Sequence, residues 1–181
     1  MVMIWWFLAF FQVFLLVALA RLLFHLFQVS VSDKVLPFVP SNNDIIKAVI
    51  ASGELTGVKS FVDLGSGDGK VILKLARSYP KVNFVGVEYS YTLYLISCLR
   101  AWRNPRVRFV RADMFTVPVD QFEVIYGYWI TGLIPKIYNK LSSEAKRGTK
   151  VICNTFSLPE NCNFSKKTII NDHVKLMIYT I

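Results

Sequence analysis

The chain has 181 residues, of which 54% are hydrophobic, and its 21 lysines and arginines outnumber 12 acids to give a net charge of +9. Nineteen of the first 20 residues are apolar, and the first charged residue is Arg21. This composition excludes a disordered chain and a collagen-like repeat, and the length excludes a multi-domain assembly. The uneven distribution of apolar residues argues against a simple soluble protein. One apolar segment comes first, and the rest of the chain has an ordinary globular composition.

The N-terminal segment is predicted to be a transmembrane anchor over residues 1–28. As a helix, its apolar run is long enough to cross the roughly 30 Å hydrocarbon core of a bilayer. Trp5 and Trp6 lie near one end, where indole rings prefer the lipid–water interface. A cleaved secretory signal is the alternative, because Ala18-Leu19-Ala20 has the small-x-small pattern of a cleavage site, although no basic residues precede the run. A buried core helix fits less well.

The anchor is predicted to be followed by a linker over residues 29–40 and one α/β domain over residues 41–181. Positive charge close to the apolar run lies only after it, at Arg21, Lys34 and Lys47. The positive-inside rule therefore predicts a single-pass protein with its domain on the cytoplasmic side, or on the equivalent matrix side of a mitochondrial membrane.

Beyond the linker, strand and helix patterns alternate. The predicted strands are, in chain order, Lys59–Leu64, Val82–Glu88, Val107–Ala112, Phe122–Tyr128 and Lys150–Phe156. The predicted helices cover residues 41–52, with Ser41 as the N-cap, and residues 70–78, 90–102 and 133–145. Lys167–Asn171 and Val174–Tyr179 indicate a terminal antiparallel hairpin. This order predicts a Rossmann-like α/β fold with a mostly parallel sheet and helices on both faces.

The sharpest pattern is the DLGSGDG segment from Asp63 to Gly69, between the first strand and the next helix. Glycines there permit a tight turn and the approach of a ligand to backbone N–H groups. The spacing differs from the dinucleotide pattern G-x-G-x-x-G, and Asp63 and Asp68 favour an ammonium or a sulfonium over a pyrophosphate. Glu88 ends the second strand, where it can accept hydrogen bonds from ribose hydroxyls, and Asp113 follows the third, where it can accept from an adenine amino group. Acids at three successive strand ends predict one shared crevice.

These residues resemble the class I S-adenosylmethionine-dependent methyltransferases over residues 58–157. The chain is similar in particular to the membrane-anchored protein-lysine methyltransferases of the ATP synthase c-subunit and adenine nucleotide translocase type, and to their prokaryotic relatives. The similarity rests on the anchor and on PFVPS at 37–41, VDLGSGDGK at 62–70, RAWR at 100–103 and VICNTFSLP at 151–159. It implies S-adenosylmethionine as the cofactor. The residues it implies for cofactor binding are Asp63, Gly65, Ser66, Gly67, Gly69, Glu88 and Asp113.

The resemblance further implies methyl transfer to a lysine of a membrane protein near the bilayer. Tyr126, Tyr128 and Trp129 are predicted to position the substrate, because aromatic rings can guide an alkylammonium stem; packing beneath a loop is their alternative. The turn that contains them lacks the Gly-x-Pro usual in the family. Two alternatives therefore stay open, a lipid or small amphiphile as acceptor and an inactive cofactor-binding membrane scaffold. A nucleic-acid acceptor is not expected, because the chain has no Asp/Asn-Pro-Pro-Tyr turn.

The arginines and the cysteines give further predictions about lipid and metal binding. Five arginines lie within twelve residues without an acid, at Arg100, Arg103, Arg106, Arg108 and Arg111. They are predicted to contact anionic lipid headgroups, with a solvated basic face as the alternative. The cysteines show no CxxC spacing, so neither a disulfide framework nor a zinc site is predicted from Cys98, Cys153 and Cys162.

Overall fold

The computed structural model describes residues 2–31, 39, 41–171 and 174–181. The chain divides into two compact units, Met1–Pro37 and Phe38–Ile181. Each unit has its own structure.

The described part of the first unit is helix α1 (Val2–Val31), which contains a span long and apolar enough to cross a membrane, Ile4–Phe24. Its 21 residues extend about 32 Å at 1.5 Å per residue, close to the thickness of a hydrocarbon core. Length and apolarity of this kind also occur in signal sequences. The helix continues three residues into the predicted linker because the first helix-breaking proline after it is Pro37. The rest of that linker, except Val39, lies outside the described residues.

The second unit is built on a seven-stranded sheet with the order β3-β2-β1-β4-β5-β7-β6. The strands are β1 (Ser60–Leu64), β2 (Asn83–Glu88), β3 (Val107–Arg111), β4 (Val124–Gly127), β5 (Lys150–Asn154), β6 (Ser165–Asn171) and β7 (Val174–Thr180). The first five strands run parallel, and β7 pairs antiparallel with both β5 and β6. The predicted Rossmann-like sheet with a C-terminal antiparallel hairpin is confirmed.

Four helices accompany this sheet: α2 (Asn43–Ala51), α3 (Lys70–Ser78), α4 (Tyr91–Ala101) and α5 (Ile134–Glu144). A short 3-10 helix (Thr131–Leu133) precedes α5. One apolar layer joins α2 and α3 to Phe61, Phe84 and Ile152. A second layer on the other sheet face joins α5 to alternate strand residues such as Val62 and Ile125. Because both faces are covered, the central strands are buried along almost their whole length.

Two sequence predictions of element ends are corrected. The N-cap of α2 is Asn42, whose Oδ1 accepts a hydrogen bond from the N–H of Asp44 at 3.2 Å. Ser41 instead presents its carbonyl oxygen to the ammonium of Lys70 at 2.7 Å. The fifth strand ends at Asn154 rather than at residue 156, because Thr155 adopts a φ of 69° that takes the backbone out of the sheet.

Gly127, at the end of β4, is required by the packing of Trp129. A Cβ atom at this position would lie 2.1 Å from the indole ring of Trp129, which is 1% exposed. The indole N–H donates to the carbonyl oxygen of Leu64 at 3.0 Å, so the ring joins the ends of β1 and β4.

We expect Gly127→Ala to lower the free energy of unfolding by about 1–3 kcal/mol, because the added methyl group overpacks this contact. Denaturant unfolding followed by tryptophan fluorescence measures the loss. Gly132→Ala is the matched control, since a Cβ there meets nothing within 4 Å, and its effect should stay within about 0.5 kcal/mol. Equal stability of the two variants would contradict the packing described.

Candidate functional site

The candidate site lies at the carboxyl ends of the parallel strands, where the strand order reverses between β1 and β4. Open α/β sheets bind ligands at such a switch point. Asp63 on β1 pairs in register with Gly86 on β2 and with Tyr126 on β4. Because side chains alternate along strands, Glu88 and Asn154 lie on the same sheet face as Asp63 and Tyr126. Four buried polar side chains therefore face one crevice.

The glycine loop after β1 is closed on one side and open on the other. Gly65, Gly67 and Gly69 have φ values of 97°, 57° and 76°, which favour glycine. A Cβ at Gly69 would lie 2.6 Å from the ring of Phe109, whereas a Cβ at Gly65 would meet nothing within 4 Å. Gly86, on β2, makes room for the same Phe109 ring. The loop thus rests on Phe109 and leaves open space beside Gly65.

Glu88 connects the glycine loop to the start of α4. Its Oε2 accepts a hydrogen bond from the N–H of Gly67 at 2.8 Å, and its Oε1 accepts from the N–H of Ser90 at 2.7 Å. Each carboxylate oxygen retains a further lone pair. The side chain is buried, so these bonds fix the loop against the end of β2 and leave acceptor capacity for a ligand.

Asp63 is the most strongly perturbed acid of the crevice. Its side chain is 2% exposed, and this burial raises the pKa of the carboxyl well above its usual range. The neighbouring Glu88 carboxylate raises it further, because two like charges disfavour each other's ionisation. A cation bound between the two acids would reverse this effect.

Asp68 and Arg100 form an ion pair at the rim of the crevice. Nη1 of Arg100 contacts Oδ2 of Asp68 and also donates to the Asp68 carbonyl oxygen at 3.2 Å. Oδ1 of Asp68 accepts from the N–H of Lys70, in the first turn of α3, at 3.2 Å. Arg100, which belongs to the arginine-rich segment, therefore contacts the glycine loop.

Asp113 lies half-buried just after β3, at the same edge of the sheet as Glu88. Its Oδ1 accepts a hydrogen bond from the N–H of Phe115 at 3.0 Å. The adjacent N–H of Ala112 donates to the Glu88 carbonyl oxygen at 3.2 Å. The structure thus brings all seven residues predicted for cofactor binding to one edge, while their contact with a cofactor stays a prediction.

The three aromatic residues predicted to position a substrate lie in different surroundings. Tyr126 is buried, and its hydroxyl has no hydrogen-bond partner among the described residues. Burial raises the pKa of this phenol, and the charge of Asp63 adds to the shift, while the neighbouring Ser41 and Asn154 oppose it. The ring of Trp129, by contrast, is enclosed in the apolar layer beside α5. This burial agrees with the alternative of packing beneath a loop, and a substrate-positioning role for Trp129 stays a prediction.

Tyr128 is half-buried and stacks on Phe156, with ring centres 5.8 Å apart and planes inclined by 23°. The two rings follow the ends of β4 and β5, and Phe156 packs against the apolar layer beside α5. No site role is predicted from the sequence for Asn154, which ends β5, or for Phe156, which follows it, because neither belongs to an acidic or glycine-rich pattern. The alignment of strand ends is the signal that could have found them.

The residues of the crevice fit S-adenosylmethionine. Ser66 has a buried hydroxyl without a partner among the described residues, and the space beside Gly65 is open. Asp63 and Glu88 supply buried acceptors for positive charge and for hydroxyl groups. An amino acid ammonium, a sulfonium and a ribose are the groups that this donor and acceptor set can satisfy.

Two solved methyltransferase structures share this fold. An RNA methyltransferase from Salinibacter ruber, in complex with S-adenosyl-L-homocysteine, superposes with a TM-score of 0.72 at 21% identity, covering 79% of this chain and 94% of that one. A methyltransferase from Thiobacillus denitrificans with the same ligand has a TM-score of 0.56 at 19% identity, covering 75% and 58%. The second unit therefore has the class I methyltransferase fold.

Sequence comparison defines the family more narrowly. Residues 63–163 match the model of the ANTKMT methyltransferase domain. The chain is 30% identical to the ATP synthase c-subunit lysine N-methyltransferase of Caenorhabditis elegans over 135 residues, which cover 70% of each chain. It is 24% identical to a protein-lysine N-methyltransferase of Saccharolobus islandicus over 125 residues, covering 67% of this chain and 78% of that one. The chain belongs to the ANTKMT methyltransferase domain family.

The family assignment confirms the predicted resemblance and the predicted cofactor class, S-adenosylmethionine. The relative from Xenopus laevis, an ATP synthase c-subunit lysine N-methyltransferase, is 29% identical over 128 residues, which are 68% of this chain and 55% of that protein. The chain spans about half the length of this relative and of its rat and mouse counterparts.

We expect the affinity for S-adenosylmethionine to rise with pH over the range in which Asp63 ionises, which lies above the usual range of a carboxyl group. A cationic ligand favours the ionised form of Asp63, whose pKa is raised in the free protein, so binding releases a proton wherever that carboxyl is still protonated. Calorimetric titrations across this range measure the slope.

Two comparisons isolate the charge of Asp63. Asp63→Asn should remove most of the pH dependence, and S-adenosylhomocysteine, which lacks the sulfonium charge, should show a smaller one. An unchanged slope in the Asp63→Asn variant would assign the pH dependence to another group.

Proposed function

We propose that the protein is an S-adenosylmethionine-dependent protein-lysine N-methyltransferase, anchored in a membrane by α1, that acts on a lysine of a membrane protein near the bilayer. The crevice of buried acids beside an open glycine loop is the observation that carries the enzymatic part. Its support comes from membership of a methyltransferase family whose relatives are named as protein-lysine methyltransferases.

The cofactor half of the proposed site is the edge formed by β1, β2 and β3. The amino acid part of the cofactor binds at the open backbone beside Gly65 and at the buried Ser66 hydroxyl. Glu88 accepts from the ribose hydroxyls, and Asp113 accepts from the adenine amino group. When bound, S-adenosylmethionine supplies an electrophilic methyl group on a positively charged sulfur.

The acceptor half is formed by the ends of β4 and β5. The stacked rings of Tyr128 and Phe156 offer an apolar surface to the methylene stem of a lysine. Tyr126 and Asn154 are buried polar groups at the same two strand ends, and we place the amine nitrogen where they can hold it by hydrogen bonds. An apolar wall disfavours the charged ammonium, so the lysine is held in its neutral, nucleophilic form and its proton passes to water.

The membrane part of the proposal rests on α1 and on the acceptor proteins that appear in the names of the relatives. The span Ile4–Phe24 has the length and composition of a membrane helix. The names of several relatives specify the c-subunit of the ATP synthase as their acceptor. We place the domain on the cytoplasmic or matrix side, because basic residues close to the span follow it in the sequence.

Transfer of labelled methyl groups tests the proposed function. The purified full chain, incubated with methyl-labelled cofactor and membranes from cells that lack the protein, should label a protein, and acid hydrolysis should release methyllysine. Asp63→Ala should abolish the label, whereas Asp120→Ala, a change of an exposed acid, should preserve it. Label in the lipid extract would show that the acceptor is a lipid. Cofactor binding without any labelled product would indicate an inactive scaffold.

We expect Tyr126→Phe to slow the reaction with little change in stability. The buried hydroxyl makes no close hydrogen bond among the described residues, and Ser41 and Asn154 are its polar neighbours. Its removal should change the free energy of unfolding by no more than about 1 kcal/mol, while kcat falls about tenfold through one lost hydrogen bond to the acceptor. Cofactor affinity should change little. Denaturant unfolding and steady-state kinetics measure the two effects.

Tyr179→Phe is the matched control for this substitution. The Tyr179 hydroxyl is also buried, but it accepts a hydrogen bond from the N–H of Leu158 at 3.0 Å. Its loss should therefore destabilise the protein and leave kcat unchanged. A Tyr126→Phe variant with wild-type kcat would remove Tyr126 from the acceptor site.

A further inference from the structure

The outer face of α4 is apolar although no other element covers it within the described residues. Tyr91, Leu95 and Leu99, followed by Trp102 at the C-cap, recur at helical spacing and form one stripe. Leu99 is 73% exposed and Trp102 is 76% exposed. Only Ser97 and Ala101 of this helix are buried. A helix that is apolar on its solvent side as well as its inner side indicates a surface that binds a partner.

The charges beside this stripe have one sign. Residues 89–112 contain five arginines and no acid. The guanidinium of Arg103 lies 4.8 Å from the ring centre of Trp102, and that of Arg111 lies 5.1 Å from the ring centre of Tyr91. Both ends of the stripe therefore carry a cation stacked on an aromatic ring, which is the combination found where proteins meet lipid headgroups.

The five arginines that are close in sequence have different surroundings in the structure. Arg100 is paired with Asp68, and Arg106 is half-buried, with its Nε enclosed. Arg108 alternates to the other face of the edge strand β3 from Arg111. Arg103 and Arg111 are the two that accompany the apolar stripe.

The point where the chain enters the second unit lies close to the same helix. The carbonyl oxygen of Ser41 accepts from Lys70, whose neighbour in the glycine loop, Asp68, is held by Arg100 of α4. Residues 32–40 separate Ser41 from the end of α1, and nine extended residues reach at most about 30 Å. A linker of this length is short enough to keep a domain anchored through α1 near the membrane.

We propose that Tyr91, Leu95, Leu99, Trp102, Arg103 and Arg111 form a docking surface for an anionic lipid bilayer. The inference rests on the proposed membrane anchor and specifies how the domain meets the same membrane. The four apolar side chains enter the headgroup region, and the two arginines contact anionic headgroups. Because Tyr91 lies three residues after Glu88, docking holds the crevice near the bilayer surface, where an acceptor lysine would lie.

Tryptophan quenching by brominated lipids tests this surface in the full chain. In a Trp5→Phe, Trp6→Phe variant the remaining tryptophans are Trp102 and the buried Trp129. Reconstituted with brominated phosphatidylcholine and phosphatidylglycerol, its fluorescence should be quenched, and less so without phosphatidylglycerol. Adding Trp102→Phe should remove the quenching.

Charge reversals test the arginines. Arg103→Glu with Arg111→Glu should reduce the quenching in anionic bilayers severalfold, as expected if each arginine strengthens headgroup binding about fivefold. Arg77→Glu with Arg147→Glu makes the same change of charge at two exposed positions outside the stripe and should leave the quenching unchanged.

The outcomes separate the docking surface from the anchor. A chain that does not float with the vesicles refutes the anchor and the docking surface together. A chain that floats while Trp102 stays unquenched refutes the docking surface alone and assigns the stripe to a protein partner. Equal quenching in neutral and anionic bilayers contradicts the proposed contact of Arg103 and Arg111 with anionic headgroups.

Discussion

The hydrogen bonds of the Glu88 carboxylate organise the rest of the site. One oxygen accepts from the glycine loop after β1 and the other accepts from the residue that begins α4. These two bonds join the ends of two neighbouring parallel strands and fix the loop's curvature. The open side of the loop is thereby fixed toward the crevice, while Phe109 supports it from the other side.

The same arrangement has an electrostatic cost that defines what the crevice can bind. Asp63 is buried beside Glu88, and both the burial and the neighbouring carboxylate raise the pKa of Asp63. A cationic ligand offsets this cost, whereas an anionic one increases it. The preference for a sulfonium and an ammonium over a pyrophosphate therefore follows from burial and from the pairing of β1 with β2.

The proposed acceptor side follows a different physical rule. Tyr126 and Asn154 are buried polar groups at the ends of β4 and β5, and the stacked rings of Tyr128 and Phe156 follow those two strand ends. The proposal places cofactor and acceptor on opposite sides of the strand-order reversal between β1 and β4. In the proposed function this geometry aligns the amine with the methyl group, so that positioning supplies most of the catalysis.

Much of the fold was predictable because local patterns and tertiary structure agree. The glycine loop, the acids at strand ends and the alternation of apolar segments each specify the same parallel sheet, and α3 has the bounds predicted from its periodicity.

Features that depend on contacts between distant residues were not predictable. Trp129 packs over Gly127, Phe156 joins Tyr128 through strand alignment, and Arg100 pairs with Asp68 across 32 residues. A single sequence contains no signal for such pairs, because each arises only when strands and helices from different parts of the chain meet.

Amide hydrogen exchange of the full chain, with and without S-adenosylhomocysteine, tests the central claim most directly. The account predicts slower exchange for residues 65–70, for residues 88–90 and for the turn after Asp113, with little change in β6 and β7. Protection confined to other parts of the domain, or none at a saturating ligand concentration, would contradict the assignment of the crevice as the cofactor site.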